Sequence, residues 1–211
     1  MADHSSGTEE RTTHWETVYR GNETDALSWY QAEPVMSLQM LDLLGVTPGS
    51  GVIDIGGGAS LLVDRLLARG FGDLAVLDIS DAALQAARLR VGDDARVAWI
   101  VGDILSWEPT RRYDLWHDRA VFHFLSGQEV EEYREVMRRG LAPGGSVVMA
   151  TFAPDGPEWC SGLPVTRYSA EQLGMALGSG FHIVEQRREV HTTPAGAVQP
   201  FTWIAARRDV S

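Results

Sequence analysis

The chain contains few of the residues that build covalent cross-links or membrane spans. Its 211 residues include one cysteine, Cys160, which excludes an intramolecular disulfide and a cysteine-built zinc or iron–sulfur site. A single cysteine suits a reducing compartment, so we expect a cytoplasmic protein. No apolar run approaches the roughly 18 residues that a membrane span needs. The polar, acidic start does not resemble a secretory signal. We therefore expect no membrane partner.

Basic residues are also scarce relative to acidic ones. Eighteen Lys plus Arg face 29 Asp plus Glu, which gives a formal net charge of −11. A field of this sign repels phosphate backbones, so we expect no nucleic-acid partner, although one arginine in a cleft can still bind a small anion. The six histidines include no metal-spaced pair on one helix face, and we expect no metal. The sequence leaves a monomer and a homodimer open.

Hydrophobic residues make up 44% of the chain and charged residues 22%, as in an ordinary globular domain. From about residue 50, short β-rich runs alternate with helical runs, which predicts a parallel sheet flanked by helices. Near the end, two β-rich runs follow each other without a helix, which favours antiparallel pairing. The predicted strands are 51–55, 74–78, 96–102, 114–118, 146–152, 181–190 and 201–207. The predicted helices begin near Leu62, Asp81, Gln128 and Ala170.

These elements predict an α/β three-layer sandwich with a seven-stranded, mostly parallel sheet. The expected strand order is 3-2-1-4-5-7-6, with the last strand antiparallel. The six residues 140–145 are expected to break the chain before the fifth strand. Residues 1–12 are expected to be flexible, and residues 13–211 to form one domain. Within it, two helical segments (about 9–20 and 33–44) build a lid over residues 13–46, and the core covers 50–207.

A glycine-rich turn between the first strand and the first core helix carries the strongest chemical signal. Gly56, Gly57 and Gly58 follow Asp54, and glycines there let a ligand approach the backbone at a helix N-terminus. A tight turn without a ligand is the alternative. A dinucleotide fingerprint requires a third glycine where Leu61 stands.

Two more carboxylates end the next two strands. Asp78 is placed to accept from ribose hydroxyls, and Asp103 from an exocyclic adenine amine. Either carboxylate can instead be a structural helix cap.

Successive segments of the chain resemble the motifs of class I S-adenosylmethionine-dependent methyltransferases, in the order of that family. The resemblance covers roughly residues 35–207. It implies that Asp54 and the three glycines bind the methionine and ribose end of S-adenosylmethionine. It also implies that Asp78 with Ile79 binds the ribose, and Asp103 with Ile104 the adenine. The segments that carry it are 52–60, 75–79, 101–104, 113–116 and 141–145.

The N-terminal part has a narrower likeness. Trp15 and Tyr19 are spaced i,i+4, which places both rings on one helix face, and Tyr30 follows eleven residues later. This arrangement resembles the lid of methyltransferases that modify lysines of translation elongation factor 1A. By that likeness the three rings contact the cofactor, and Arg119 takes the position of a basic cofactor-contacting residue. The alternative is that the rings dock the lid onto the core.

The segment after the fourth strand carries two candidate bases. Substrates of open α/β sheets bind beyond the carboxyl ends of the strands. His123 is the first candidate for a general base there and His117 the second. Either can instead be a packed histidine with satisfied nitrogens, and many methyl transfers need no base.

The C-terminal third and the lid supply candidates for the acceptor pocket. We expect Trp29, Cys160, His191 and Gln199 to line it, although a buried thiol and strand-pairing polar residues explain the same pattern.

The favoured function is methyl transfer from S-adenosylmethionine to an oxygen, nitrogen or sulfur atom of a small molecule. A protein-lysine methyltransferase is the main alternative. A nicotinamide-dependent oxidoreductase and a non-catalytic cofactor-binding module also stay open.

Overall fold

Residues 4–210 are described in the computed structural model of the chain, with side chains from residue 7 onward. The α-helices are α1 (His4–Gly21), α2 (Val35–Leu43), α3 (Leu62–Ala68), α4 (Asp81–Val91), α5 (Gln128–Gly140) and α6 (Ala170–Leu177). Two 3-10 helices cover Thr24–Ala26 and Phe122–Phe124. The strands are β1 (Val52–Ile55), β2 (Leu74–Asp78), β3 (Val97–Val101), β4 (Tyr113–Arg119), β5 (Leu141–Phe152), β6 (Trp159–Cys160), β7 (Leu163–Pro164), β8 (Phe181–Thr192) and β9 (Val198–Arg208).

Seven strands form one sheet in the order β3-β2-β1-β4-β5-β9-β8, and β6 pairs with β7 in a separate short hairpin. With that hairpin set aside, the order is the expected 3-2-1-4-5-7-6. Strands β1 to β5 are parallel, and β9 is antiparallel to both of its neighbours. The predicted α/β class and mostly parallel sheet are therefore confirmed.

The sheet separates two hydrophobic cores, because alternate residues of a strand point to opposite faces. Ile53 and Ile55 of β1 pack in the core that contains α5 and α6. Val52 packs in the other core, with α2 and α3. All four residues of β1 are buried, as expected for a central parallel strand covered by helices on both faces.

Local capping signals set several helix boundaries. The hydroxyl of Ser80 accepts from the N–H of Ala83 at 3.2 Å, so Ser80 is the N-cap of α4. Ser169 and Gln172 form a reciprocal capping box at the start of α6. Such caps depend on residues three apart, which makes them readable in a sequence.

Two features near β5 differ from the expectation. The break expected at residues 140–145 lies inside β5, which begins at Leu141 and bulges before its pairing with β4 resumes at Ser146. The second feature is the β6–β7 hairpin, whose two turn residues, Ser161 and Gly162, both have positive φ. This turn chemistry suits a two-residue hairpin and was not anticipated.

The start of the chain, which we expect to be flexible up to about residue 12, is helical in its described part. Helix α1 begins at His4, and its first half is tied to the core by Thr8 and Arg11, which both donate to Asp103. Residues 1–3 lie outside the described residues. Within the described residues, none of the helices has the length and apolar character that crossing a membrane requires.

Candidate active site

The turn after β1 contains three glycines that the surrounding protein requires. Gly56 has φ +63°, and a Cβ there would overlap the side chain of Val121. A Cβ on Gly57 would lie 2.6 Å from Oδ2 of Asp54. Gly58 has φ +41°, and its Cβ would lie 2.6 Å from the hydroxyl of Tyr19. The glycines thus allow the turn to pack tightly against the core and the lid, in addition to any ligand they admit.

A cavity with an empty volume of about 880 Å³, continuous with solvent, lies beyond the carboxyl ends of the strands. The expected cofactor residues that line it are Trp15, Tyr19, Gly56, Asp78, Ile79, Asp103, Ile104 and Arg119, and the expected acceptor residues are Trp29, Cys160 and Gln199.

Asp78 ends β2 at the wall of this cavity and is 5% exposed. Its Oδ1 accepts from the N–H of Ser80 at 2.9 Å. Burial raises the pKa of Asp78 to about 7, since the backbone donors offset only part of the lost hydration. A hydroxyl-bearing ligand would supply further donors to this carboxyl group.

Asp103 follows β3 by two residues and holds the lid. Its Oδ2 accepts from Arg11 at 2.7 Å and from the hydroxyl of Thr8 at 2.9 Å, and its Oδ1 accepts from the N–H of Leu105 at 3.0 Å. Arg11 also pairs with Glu129 at 3.0 Å. Both Asp103 oxygens therefore have protein donors, and Arg11 itself lines the cavity.

Asp54 lies behind the glycine turn against His117. Nδ1 of His117 is 2.6 Å from Oδ1 of Asp54, and Nε2 is 2.9 Å from the hydroxyl of Ser37. Both ring nitrogens of His117 are therefore within hydrogen-bond distance of a protein oxygen. Because both ring nitrogens are bonded and the residue is buried, His117 does not have the free lone pair of a general base.

His123, the first candidate for a base, is also misplaced for that role. Its ring is fully buried between Phe124 and Phe152, at centroid distances of 4.5 and 4.8 Å. Its Nδ1 accepts from the N–H of Phe152 at 3.4 Å, so the proton of a neutral ring is on Nε2. Burial lowers the pKa of His123 to about 3. The prediction of His123 as a base is therefore not supported by its geometry.

The lid is fastened at several further points. Glu16 of α1 accepts from the N–H of Ala82 and from the hydroxyl of Ser80, both at 3.0 Å, at the N-terminus of α4. The carbonyl of Ser28 lies 2.8 Å from Nε2 of His191. His191 thus holds the loop after α1. It is not among the described residues that line the cavity.

Arg119 ends β4 and points into the cavity. Its Nη1 donates to the carbonyl of Trp29 at 3.1 Å, and its guanidinium lies 4.5 Å from the ring centroid of Phe201. Nε and Nη2 are buried and have no hydrogen-bond partner among the described residues. Burial lowers the pKa of Arg119. These two nitrogens share one edge of the guanidinium, which is the edge that binds a carboxylate in two parallel hydrogen bonds.

A second cavity of about 560 Å³ lies on the other side of Trp29 and Arg119. Tyr30 lines this cavity and not the first, so the three lid rings expected to act together are divided between two spaces. Gly56 is common to both, and Asp54 and Gly57 line the second. The two cavities meet at the glycine turn.

Several lining residues were not identified from the sequence. Phe124, Phe152 and Phe201 form an aromatic wall, with a centroid distance of 4.9 Å between Phe152 and Phe201. The pairing of Phe152 with Phe201 across β5 and β9 brings these rings together. The only available signal was the position of Phe152 at the end of a predicted strand. Arg11 had no signal, because its partners are remote in sequence.

Cys160 lies in the hairpin strand β6 and its buried thiol faces the cavity. Burial raises the pKa of this thiol to about 11, so it is neutral at physiological pH. Among the described residues no group of three or more His, Cys, Asp or Glu side chains is arranged to hold a metal ion.

Comparison with known proteins relates the chain to methyltransferases. Residues 52–145 match the family described as a methyltransferase domain. A malonyl-[acyl-carrier protein] O-methyltransferase of Ilyobacter polytropus is 24% identical over 132 residues, which is 60% of this chain and 50% of that protein. A second such enzyme of that organism is 28% identical over 102 residues, or 48% of this chain and 37% of the relative. The chain thus spans half or less of the length of these curated relatives.

Solved structures match over nearly the whole chain. The 1,6-didemethyltoxoflavin-N1-methyltransferase of Burkholderia thailandensis, solved with 1,6-didemethyltoxoflavin and S-adenosylhomocysteine, has a TM-score of 0.76 and 18% identity, covering 99% of this chain and 91% of that one. An S-adenosylmethionine-dependent methyltransferase of Anabaena variabilis has a TM-score of 0.72 and 17% identity, covering 94% and 95%. Residues 52–145 therefore match a methyltransferase domain, and the chain shares the fold of these S-adenosylmethionine-dependent methyltransferases.

Proposed function

We propose that the protein transfers a methyl group from S-adenosylmethionine to an oxygen, nitrogen or sulfur atom of a small molecule. The observation that carries this proposal is the meeting of the glycine turn, the buried carboxyl group of Asp78 and the rings of the lid at one cavity. The family match of residues 52–145 supports it. The chemistry that the cofactor supplies is a methyl group on a positively charged sulfur.

The residues at the site fit this cofactor. Asp78 would accept from the ribose hydroxyls, and the free edge of Arg119 offers two donors to a carboxylate. The turn at Gly56–Gly58 gives a ligand access to the backbone at the boundary of the two cavities. The aromatic rings of Trp15 and Tyr19 suit a sulfonium through cation–π contact. Ile79 and Ile104 provide apolar contacts beside the carboxylates of Asp78 and Asp103.

The chain's own contribution to the reaction is orientation and exclusion of water. His117 is bonded at both nitrogens and His123 is buried away from the cavity lining, so no general base is part of the proposal. Placement of the acceptor in line with the methyl group supplies a large rate gain without a base. Closure of the lid over the cavity removes water from the site.

The small-molecule preference has two supports. The lid covers the cavity with α1 and the loop to Trp29, which suits a compact acceptor better than a protein chain. The structural neighbour from Burkholderia thailandensis is named for a small heterocyclic acceptor. The likeness of the lid to that of elongation-factor lysine methyltransferases stays a prediction. The cytoplasmic location belongs to the same proposal and rests on the single cysteine.

The first test of the proposal is binding of S-adenosylhomocysteine, measured by calorimetry. Asp78→Ala should weaken binding by roughly 1.5–3 kcal/mol, the scale of charge-assisted hydrogen bonds. Asp25→Ala, which removes an exposed carboxylate in the lid, is the matched control and should bind normally. Binding of a nicotinamide dinucleotide in place of S-adenosylhomocysteine would refute the proposal, as would unchanged affinity of the Asp78 variant.

The second test identifies the acceptor class. The protein is incubated with methyl-labelled S-adenosylmethionine and a cell extract, which is then divided into small-molecule and protein fractions. Label in the small-molecule fraction is the expected result. Label on protein alone would overturn the small-molecule acceptor. The chain contains no lysine, so labelled lysine in the protein fraction comes from a different protein.

A further inference from the structure

The cavity has a second half that the proposed cofactor does not explain. Asp78 ends β2 and Asp103 follows β3 on one side of β1, whereas Phe152 and Phe201 belong to β5 and β9 on the other side. Neighbouring strands lie about 4.8 Å apart, so β9 is about 19 Å from β2. The wall formed by β5 and β9 is therefore well separated from the two strand-end carboxylates and is available to an acceptor.

Aromatic residues line this half of the cavity from the lid and from the sheet. Trp15 of the lid packs edge-on against Phe124 at 5.2 Å and against Trp29 at 5.9 Å between ring centroids. Phe152 and Phe201 form the facing wall. Aromatic rings stack with other rings or meet them edge to face, so a planar aromatic molecule matches these surfaces best.

The charge in this half disfavours a cation. No acidic side chain of the described residues lines the wall from β5 and β9, and Cys160 is neutral there. Arg119 places a positive charge against the face of Phe201. Glu189 is not among the described lining residues, and its two carboxylate oxygens accept from Gln31 at 2.8 Å and from Trp203 at 2.9 Å. An ammonium group in this half would therefore lack a counter-charge.

Gln199 provides the one amide group on this wall. The residue is 8% exposed and lines the cavity, and none of the hydrogen bonds of the described side chains involves its amide. The amide is open to the cavity, so a ligand bound there can hydrogen-bond to it. An amide can both donate and accept, so it suits a polar ring edge such as a lactam, carboxamide or phenol.

From these observations we propose that the acceptor is a planar aromatic molecule without positive charge, whose polar edge hydrogen-bonds to Gln199. This inference rests on the proposed function and specifies its substrate class. Stacking between the lid rings and the wall would orient the ring, and Gln199 would fix its rotation in the cavity.

The test measures binding of four probes of similar size by calorimetry, with and without saturating S-adenosylhomocysteine. The probes are 2-naphthamide, 2-methylnaphthalene, 2-naphthylmethylammonium and decahydro-2-naphthamide, which differ in polarity, charge and planarity. We expect 2-naphthamide to bind about tenfold tighter than either the ammonium probe or the non-planar amide. Equal or tighter binding of the ammonium or the decahydro probe would overturn the proposal, as would absence of 2-naphthamide binding.

Two variants test the role of Gln199. Gln199→Leu should weaken 2-naphthamide about tenfold and leave 2-methylnaphthalene unchanged. Gln199→Glu should raise the relative affinity of the ammonium probe by supplying the missing counter-charge. Gln85→Leu, at an exposed position on α4, is the matched control. A Gln199→Leu variant that binds 2-naphthamide normally would refute the assignment. The S-adenosylhomocysteine titration is separate, so failure of the proposed function would be visible independently of the probe ranking.

Discussion

The buried carboxyl group of Asp78 should make the stability of the ligand-free protein depend on pH. Its pKa is raised from 3.8 to about 7, mainly because burial removes hydration from the charged form. The unfolded chain therefore loses this proton at a lower pH than the folded protein does. Between these two values the folded state binds more protons, so rising pH destabilises it.

The perturbation is Asp78→Asn, which removes the ionisation and keeps the shape. With pKa values of 3.8 and about 7, the penalty from Asp78 grows by about 2–3 kcal/mol between about pH 5 and about pH 8. The variant lacks this penalty, so the wild type should lose stability relative to it by that amount. For a chain of this length the relative shift in melting temperature is about 5–10 °C.

The assay is thermal and urea unfolding of both proteins at several pH values across that range. Asp25→Asn, an exposed carboxyl group in the lid, should follow the pH dependence of the wild type. Parallel curves for the wild type and the Asp78→Asn variant would refute the reasoning. Under the proposed function, S-adenosylhomocysteine affinity should also rise with pH, by up to about tenfold per pH unit below pH 7, because ribose hydroxyls favour the ionised carboxylate of Asp78. The Asp78→Asn variant should not show this rise.

Three further variants test other parts of the structure. Arg11→Ala should speed amide exchange in the first half of α1 because it removes the ion pair to the core, whereas Arg20→Ala, whose partner lies in the same helix, should not. Gly56→Ala should lower the free energy of unfolding in urea by more than about 2 kcal/mol, because its backbone has positive φ and the new Cβ would overlap Val121. Gly45→Ala, where φ is similar but no atom of the described residues lies near the new Cβ, should lower it by about 1 kcal/mol. Tyr133→Phe should cost about 1–3 kcal/mol in the same assay, because its hydroxyl bridges a buried carboxylate and a buried indole N–H, and an unchanged midpoint would contradict that role.

The sequence predicted the sheet because its signals are local. The β-rich runs of sequence coincide with the strands they predict, and the cap at Ser80 lies next to the helix start that it sets. The missed β6–β7 hairpin is too short for a periodic pattern, and only its Ser161–Gly162 turn marks it. The error at residues 140–145 has a related cause. Pro143, Gly144 and Gly145 indicate a turn, but pairing with β4 on both sides keeps residues 141–145 in the strand as a bulge.

The site was harder to predict because its decisive contacts join remote residues. His117 differs from a free histidine only through Asp54, 63 positions away, and Ser37, 80 positions away. The neutral state of His123 depends mainly on its burial, to which Phe152, 29 positions away, contributes. A histidine after a strand is therefore a reasonable candidate for a base in a sequence, and only the packing shows that His117 is bonded at both nitrogens and that His123 is enclosed by aromatic rings.

The four carboxylates at or near the strand ends show how packing separates structural from functional groups. Asp54 has His117 as a partner, and Asp103 has two lid side chains. Asp118 accepts from the hydroxyl of Tyr133 at 2.6 Å and from the N–H of Val121 at 2.9 Å, which shapes the turn that places Val121 under the glycines.

Asp78 has no comparable side-chain donor, and its carboxyl group stays buried at the cavity with a raised pKa. Its main donors are backbone N–H groups, which do not offset the lost hydration. A buried acid without compensation is costly to a folded protein, and a ligand that supplies hydroxyl donors would remove that cost. In the sequence these carboxylates have similar positions relative to the predicted strands. Only their partners single out Asp78 as the strand-end group whose environment calls for a ligand.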